Sequence, residues 1–229
     1  MATKTATTAS AKQSIAILGG TGDLGTGLAI RWSKAGHTII IGSRTQEKAQ
    51  AAVDHLAKIS PKTPATPMLN ADAAKAGDIV VLTVPFAHQV STLEGVKSAL
   101  AGKILIDVTV PLIPPKVGTV QLPPEGSAGK RAQLLLGDAV MVVTAFQNVA
   151  AHLLQQDVHI ECDVLVAGNK KVARDRVIEL VEEAGLRGWH AGPIENSAAA
   201  EALTSVLIQI NRRHDISHSG LKIVGQEEH

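Results

Sequence analysis

The sequence has few aromatic residues and almost no excess of charge. Phe, Trp and Tyr together make up 2% of the 229 residues, and Tyr is absent. A core with so few rings must be built from Ala, Val, Ile and Leu, which suits buried parallel strands covered by helices. Few rings are available to stack on bases, and a formal net charge of +1 gives no broad basic surface. The composition therefore argues against nucleic acid as a partner.

The sequence also lacks a second cysteine and any long apolar run. Cys162 is the single cysteine, so an internal disulfide is excluded and a reducing cytoplasm is the expected location. No run approaches the ~20 apolar residues that a membrane span needs, so no membrane partner is expected. Residues 1–13 are rich in Thr, Ala, Ser and Lys without an apolar segment. They are interpreted as a disordered leader, because a secretory signal would contain such a segment.

Short apolar runs and amphipathic stretches alternate after this leader. Strand, helix, strand and helix are predicted at Ser14–Leu18, Asp23–Ala35, His37–Ile41 and Thr45–Ile59. Such alternation predicts a parallel sheet with helices on both faces, the doubly wound α/β arrangement known as the Rossmann fold. We expect this domain to cover residues 14–145.

The pattern changes at three places. Three prolines between residues 61 and 67 are expected to break the chain after the second helix. Residues 110–129, with five prolines and three glycines, predict a long loop. Residues 146–229 are predicted to form a second, small α/β domain. Its last helix, from Glu195 to about Arg213, is rich in Ala and other apolar residues. We therefore expect it to be well buried, with a second subunit as a candidate cover.

A glycine-rich turn is predicted between the first strand and the first helix. Residues 20–25 fit G-x-G-x-x-G in this context, which predicts a dinucleotide site. Gly20 would allow the tight turn, Gly22 would let the backbone approach a pyrophosphate, and Gly25 would let the helix pack closely. The helix N-terminus would offer free N–H groups to the phosphates. The candidate cofactor-binding residues of the turn are Gly20, Thr21, Gly22, Asp23, Leu24 and Gly25.

The residues after the second strand indicate which dinucleotide binds. NAD sites usually place an Asp or Glu there to hold the ribose 2′-hydroxyl, whereas this chain has Ser43 and Arg44. A guanidinium and a hydroxyl would bind the 2′-phosphate of NADP, which a carboxylate would repel. Lys48 could add a second charge, although an exposed position at the start of a helix explains it equally well.

Loops after later strands are expected to line the same site, because ligands bind at the carboxyl ends of parallel strands. The candidate cofactor-binding residues in these loops are Thr83, Val84, Pro85, His88 and Val108. A structural hydrogen bond explains His88 better than a catalytic role, and Asp107 is better explained as a cap or loop anchor. No metal site is predicted, since His214 and His218 lack a third ligand at a known spacing.

Several segments together resemble the NADPH-dependent F420 reductase family, whose members are F420H2:NADP oxidoreductases. The segments that carry the resemblance are residues 16–25, 41–44, 81–88, 191–197, 201–204 and 220–223. The resemblance implies an NADP-binding Rossmann domain and a small C-terminal domain that closes over coenzyme F420. It implies reversible hydride transfer between nicotinamide and deazaflavin, and a cytoplasmic homodimer.

Direct hydride transfer needs no acid–base pair, because the two coenzymes carry the chemistry, so no catalytic residue is predicted. A floor of small and apolar residues is expected instead, with the candidates Ala145, Phe146, Val149, Ala150 and Leu207, of which Ala145 is also a candidate NADP contact. The candidate F420-binding residues are Gln147, Asn148, Val149 and Leu207.

Relatives often have a His in the segment around Gln147, and a polar residue where this chain has Val110. Two alternatives therefore stay open: an NADPH-dependent FMN or FAD reductase, and a non-catalytic NADP-sensing module.

Overall fold

The computed structural model describes residues 12–225. Within them, eight strands form one sheet in the order β3-β2-β1-β4-β5-β6-β7-β8. The strands are β1 (Ser14–Leu18), β2 (Thr38–Ser43), β3 (Ala65–Leu69), β4 (Ile79–Leu82), β5 (Ile104–Asp107), β6 (Met141–Thr144), β7 (Asp163–Gly168) and β8 (Arg187–Gly192). Neighbouring strands are parallel except β6 and β7. The predicted Rossmann-type fold is confirmed.

Within residues 12–225, eight α-helices connect the strands and extend the chain after β8. They are α1 (Asp23–Lys34), α2 (Gln46–Ile59), α3 (Asn70–Ala76), α4 (Gln89–Val96), α5 (Ala128–Leu136), α6 (Ala151–Leu154), α7 (Lys171–Glu183) and α8 (Ser197–His214). Over the described residues, none of these helices has the length and apolar character that crossing a bilayer requires.

The core lies on both faces of the sheet, because alternate strand residues point to opposite sides. Ile15 and Ile17 belong to one apolar cluster, and Ala16 and Leu18 belong to the other. The side chains in both clusters are mostly aliphatic, as the low aromatic content predicts. The one pair of buried rings, Trp32 and Phe146, meets edge to face at a centroid distance of 5.9 Å. This pair joins α1 to the segment that follows β6.

Two elements were not predicted from the sequence. The expected proline break contains β3, in which Pro67 pairs with Ile41 of β2. A proline is tolerated there because β3 is an edge strand, so no neighbour needs its missing N–H group. The short helix α6 also lies in a segment without a strong periodic pattern. Both cases show how tertiary packing overrides weak local signals.

Only the last two residues of the expected leader, residues 1–13, belong to the part of the chain that the structure describes. Residues 1–11 lie outside the described residues. Lys12 and Gln13 are described, and both contact α7: the Lys12 ammonium lies 3.0 Å from the Glu183 carboxylate, and Gln13 Oε1 accepts a hydrogen bond from Arg176. The last residues before β1 therefore take part in tertiary contacts.

The sheet continues across the predicted domain boundary at residues 145 and 146. The antiparallel contact between β6 and β7 consists of two residue pairs, Val143 with Gly168 and Thr144 with Ala167. Within this single chain, the second half of α8 is only partly covered. Val206 is 42% exposed and Ile210 is 36% exposed, so the expected burial of the whole helix stays a prediction that depends on a second subunit.

Candidate active site

The turn between β1 and α1 is shaped by close contacts. Gly19 has a left-handed backbone (φ +73°), and a Cβ atom there would lie 2.5 Å from Val84 Cγ1, so Gly19 rather than Gly20 makes the tight turn. A Cβ atom on Gly25 would lie 2.7 Å from Gly20 Cα, so α1 packs directly on the turn. Gly22 is the N-cap of α1, and a Cβ atom on it would meet nothing within 4 Å. The N-terminus of α1 therefore opens toward free space, as an anion site requires.

A cleft of about 500 Å³, which we call the first cleft, lies between this turn and the end of β2. Ser43, Arg44 and Lys48, which the sequence predicts to act together, all line it. Thr45 Oγ1 accepts a hydrogen bond from the Lys48 backbone N–H and so starts α2 beside the cleft. None of the described residues lining this cleft is Asp or Glu. Its electrostatic character therefore favours an anionic group.

Sequence reasoning missed several residues of the first cleft. His55 lies on the same face of α2 as Lys48, seven positions later, so helical spacing could have identified it. Asn70, Ser91 and Thr92 complete the polar lining from α3 and α4. No local motif marks these three residues, because they reach the cleft only through the packing of the helices.

A second cleft, of about 420 Å³, lies on the other side of the glycine turn. It shares Gly19, Thr21, Val84 and Pro85 with the first cleft. Its other lining residues, mostly small or apolar, are Gly22, Leu24, Thr83, Phe86, Val108, Thr109, Val110 and Leu112. The residues predicted from the loops thus divide between two clefts that meet at the turn, an arrangement that suits a molecule with two ends. His88 lines the first cleft.

A third cleft, of about 220 Å³, brings together the four residues predicted to bind F420. Gln147, Asn148, Val149 and Leu207 all line it. Thr204 Oγ1 donates a hydrogen bond to the Gln147 carbonyl oxygen over 3.0 Å, and Asn148 Nδ2 donates to the Ala200 carbonyl oxygen over 2.8 Å. These bonds fasten α8 to the segment after β6, so both walls of the cleft are fixed to each other.

Some predicted residues lie elsewhere. Ala145 and Phe146, expected in the apolar floor, are completely buried in the core, where Phe146 packs on Trp32. Asp23 is exposed and accepts hydrogen bonds from Gln155. The floor residues that do line the third cleft are Val149, Ala150 and Leu207.

Three buried polar atoms of residues that line these clefts have no hydrogen-bond partner among the described residues. They are Asn70 Oδ1 at the first cleft, Thr109 Oγ1 at the second and Gln147 Oε1 at the third. Gln147 uses its amide nitrogen to donate to the Asp107 carbonyl oxygen over 3.0 Å, so its oxygen is free to accept. A ligand with a polar ring edge could satisfy such atoms, which are costly when left unpaired.

Two buried carboxyl groups, Asp107 and Glu201, lie behind the clefts. Glu201 accepts hydrogen bonds from the backbone N–H groups of Ala128 and Gly129 over 2.6 and 3.0 Å. Burial, and then the charge of Asp107, raise the pKa of Glu201 to about 7, although both N–H groups act in the opposite direction. Burial also raises the pKa of Asp107, against hydrogen bonds from Thr109 and Gln89.

Comparisons with known proteins agree with this geometry. A family model described as NADP oxidoreductase coenzyme F420-dependent matches residues 14–111. A protein of Methanocaldococcus jannaschii named F420-dependent NADP reductase is 39% identical over 222 residues, which cover 93% of this chain and 99% of that protein. A protein of the same name from Methanothermobacter marburgensis is 39% identical over 223 residues, with 93% and 99% covered.

One similar solved structure is that of a putative F420-dependent NADP reductase from Arthrobacter sp. FB24. It superposes with a TM-score of 0.81 at 26% identity, and the match covers 93% of this chain and 100% of that one. The likeness therefore extends through β7, β8 and α8, beyond the residues that the family model matches.

Proposed function

The chain belongs to the family of coenzyme F420-dependent NADP oxidoreductases, and we propose that it transfers a hydride reversibly between NADP(H) and coenzyme F420. The observation that carries the proposal is the pairing of two kinds of cleft on one sheet edge. A cationic cleft without carboxylates lies on one side of the glycine turn, and a mostly apolar cleft lies on the other. NADP has a matching polarity, with a phosphorylated adenosine end and, at the other end, an amide-bearing nicotinamide ring that carries no charge in the reduced form.

We assign the NADP site to the first and second clefts together. Arg44 and Ser43 would bind the 2′-phosphate, and Lys48 and His55, which line the same cleft, would add positive or polar groups. The turn around Gly22 would present backbone N–H groups to the pyrophosphate. Thr83, Val84, Pro85 and Val108 would then surround the nicotinamide end.

The residues at the second and third clefts fit a deazaflavin. Its ring system has hydrogen-bond donors and acceptors along one edge, which suit the unpartnered Gln147 Oε1 and Thr109 Oγ1. Val149 and Leu207 offer apolar contact to the rest of the ring. We propose Gln147, Asn148, Val149 and Leu207 as the F420-binding residues.

When bound, the two coenzymes supply the hydride donor and the hydride acceptor. The chain's own residues bind them, orient them and exclude water. Phe86, Val108 and Leu112 form an apolar wall that would keep water from the reacting rings. No side chain needs to accept or donate a proton in the hydride transfer itself, because the two coenzymes carry the chemistry.

We also propose a homodimer in the cytoplasm. The second half of α8 exposes Val206 and Ile210, and Ile216 beyond it is 47% exposed, so an apolar surface is available for a second copy. The single cysteine, which cannot form an internal disulfide, supports a reducing compartment.

The test is a pair of hydride-transfer assays with the purified chain. Reduced F420 is mixed with NADP, and both absorbances are followed at once; the loss of reduced F420 should match the gain of NADPH in amount and rate. NADPH is then offered to F420, FMN and FAD in parallel. Reduction of FMN or FAD without reduction of F420 would replace the proposal with a flavin reductase. NADPH binding without transfer to any acceptor would favour an NADP-sensing module.

A further inference from the structure

One buried residue, Asp107, contacts the second cleft through its carboxylate and the third cleft through its carbonyl oxygen. We propose that Asp107 is a positioning residue that fixes the two clefts at one separation. This inference rests on the proposed function, because the separation matters only if two ring systems meet between these clefts.

The carboxylate of Asp107 holds the second cleft directly. Its Oδ1 atom accepts the backbone N–H of Thr109 over 2.9 Å, and Thr109 lines that cleft. Its Oδ2 atom accepts a hydrogen bond from Gln89 Nε2 over 2.5 Å. Both oxygen atoms are therefore used, and both act as acceptors.

Gln89 carries this constraint to the opposite wall of the second cleft. Its Oε1 atom accepts a hydrogen bond from Arg131 Nε over 2.8 Å, and Arg131 donates to the Phe86 carbonyl oxygen over 3.2 Å. The Arg131 guanidinium also lies 3.9 Å from the centroid of the Phe86 ring. Phe86 on one wall and Thr109 on the other are thus tied to the same carboxylate.

The third cleft is tied to the same residue by two routes. The Asp107 carbonyl oxygen accepts a hydrogen bond from Gln147 Nε2. Gln89 Nε2 donates to the Ala128 carbonyl oxygen over 3.0 Å, and the Ala128 N–H donates to Glu201 on α8. Six residues after Glu201, the same helix carries Leu207 into the third cleft.

The hydrogen-bond network around Asp107 is rigid because it is buried away from water. Asp107 and Gln89 are completely buried, so breaking one bond would leave a polar group without water as a substitute partner. If Asp107 only anchored the loop after β5, its hydrogen bond from the Thr109 N–H would be sufficient. The further contacts through Gln89, Arg131 and Gln147 indicate a role in holding both clefts.

Asp107→Asn is the direct test. An amide replaces one acceptor oxygen by a donor, so either the Thr109 N–H or Gln89 Nε2 must lose its partner. We expect kcat for transfer from NADPH to F420 to fall about ten- to hundredfold, while the KM for NADPH stays within about twofold. The isotope effect with NADPH deuterated at the transferred position should increase, because the transfer distance is less well held.

Asp78→Asn is the matched control. Asp78 also accepts hydrogen bonds from a backbone N–H and a side-chain hydroxyl, both of Ser14. It precedes β4 and therefore lies at the amino ends of the strands, whereas Asp107 lies at their carboxyl ends. This variant should lose stability and keep the wild-type isotope effect. A purely structural role for Asp107 would leave the isotope effect at the wild-type value in both variants.

The double variant Asp107→Asn with Gln89→Glu keeps the test decisive if the single variant does not fold. The new amide can donate to the new carboxylate, whose other oxygen can still accept from Arg131, but the carboxylate cannot donate to the Ala128 carbonyl oxygen as Gln89 does. The pair therefore restores the link between the walls of the second cleft and not the route to α8, so we expect kcat to recover to within about tenfold of wild type. A folded Asp107→Asn enzyme with wild-type kcat and isotope effect would overturn the proposal, as would a folded double variant without recovery.

Wild-type transfer is measured first, so that the two proposals fail separately. If the wild-type chain does not reduce F420, the proposed function is wrong. Amide hydrogen exchange then tests the positioning role by itself. Asp107→Asn should speed exchange in both residues 83–89 and residues 145–149. Faster exchange confined to residues 107–109 would show that Asp107 anchors its own loop only.

Discussion

The first cleft and the third cleft are built in opposite ways. The first takes its cations from the continuous stretch that runs from β1 into α2, where Arg44 and Lys48 are exposed and line the cleft. The third joins Gln147 and Asn148 to α8, more than 50 residues later, and its polar groups are largely bonded to the protein itself. Substitutions in the first cleft should therefore act independently, whereas those in the third should be coupled.

The largest expected effect is a pH dependence of stability that originates behind the third cleft. The pKa of Glu201 is raised by burial from 4.5 to about 7, so the folded chain keeps this proton over a range where the unfolded chain releases it. Stability should fall as pH rises from about 4.5 to about 7 and stay level above. The loss is about 3 kcal/mol for a difference of this size.

Denaturant unfolding of the wild type and Glu201→Gln at pH 5 and pH 8 measures this effect. The free energy of unfolding of the variant should change less with pH than that of the wild type. The variant should be less stable at both pH values, because the new NH2 group must face one of the two backbone N–H donors. Glu94→Gln, an exposed carboxyl on α4, is the control and should keep the wild-type profile. If the free energy of unfolding changed equally with pH in the wild type and in Glu201→Gln, the pH dependence could not be assigned to Glu201.

The next largest effect should come from Arg44→Ala in the first cleft. Loss of a charge-assisted contact to the 2′-phosphate should raise the KM for NADPH roughly tenfold with kcat unchanged. The KM for NADH should not change, because NADH lacks that phosphate. Lys58→Ala, at the far end of α2, controls for net charge. An equal rise for NADH would show that Arg44 does not read the phosphate.

A smaller effect is expected from Gln147→Leu. The substitution removes the bond to the Asp107 carbonyl oxygen and the free acceptor, so the KM for F420 should rise about fivefold. The KM for NADPH should stay the same. Gln209→Leu, on an exposed position of α8, serves as the control, and quenching of F420 fluorescence gives the affinity. If the affinity for F420 did not change, the assignment of Gln147 as an F420-binding residue would be wrong.

The smallest effect is expected from Lys48→Ala. An exposed ammonium on a flexible side chain contributes little, so the KM for NADPH should rise only about twofold. Combined with Arg44→Ala, the two effects should multiply without interaction. A clear departure from that product would contradict the independence of the first cleft.

The sequence predicted the first cleft better than the third for a physical reason. Gly22, Ser43 and Arg44 lie in one βαβ unit, where short-range geometry fixes their positions. Edge strand β3 was missed because Pro67 argues against a strand unless the topology is known. The links from Asp107 to Glu201 could not be predicted either, since they depend on how α5 and α8 pack over β5 and β6. The resemblance to a family supplied Gln147 and Leu207, which no local pattern would have joined.

The short contact between β6 and β7 also limits how the length of β7 can vary. Only the last two residues of β6 pair with β7, so residues 163–166 extend beyond the end of β6. The reach of this extension is set by the number of residues in it, at about 3.3 Å per residue. A one-residue deletion in β7 would turn its buried valines outward, so the extension can be shortened or lengthened only in steps of two residues.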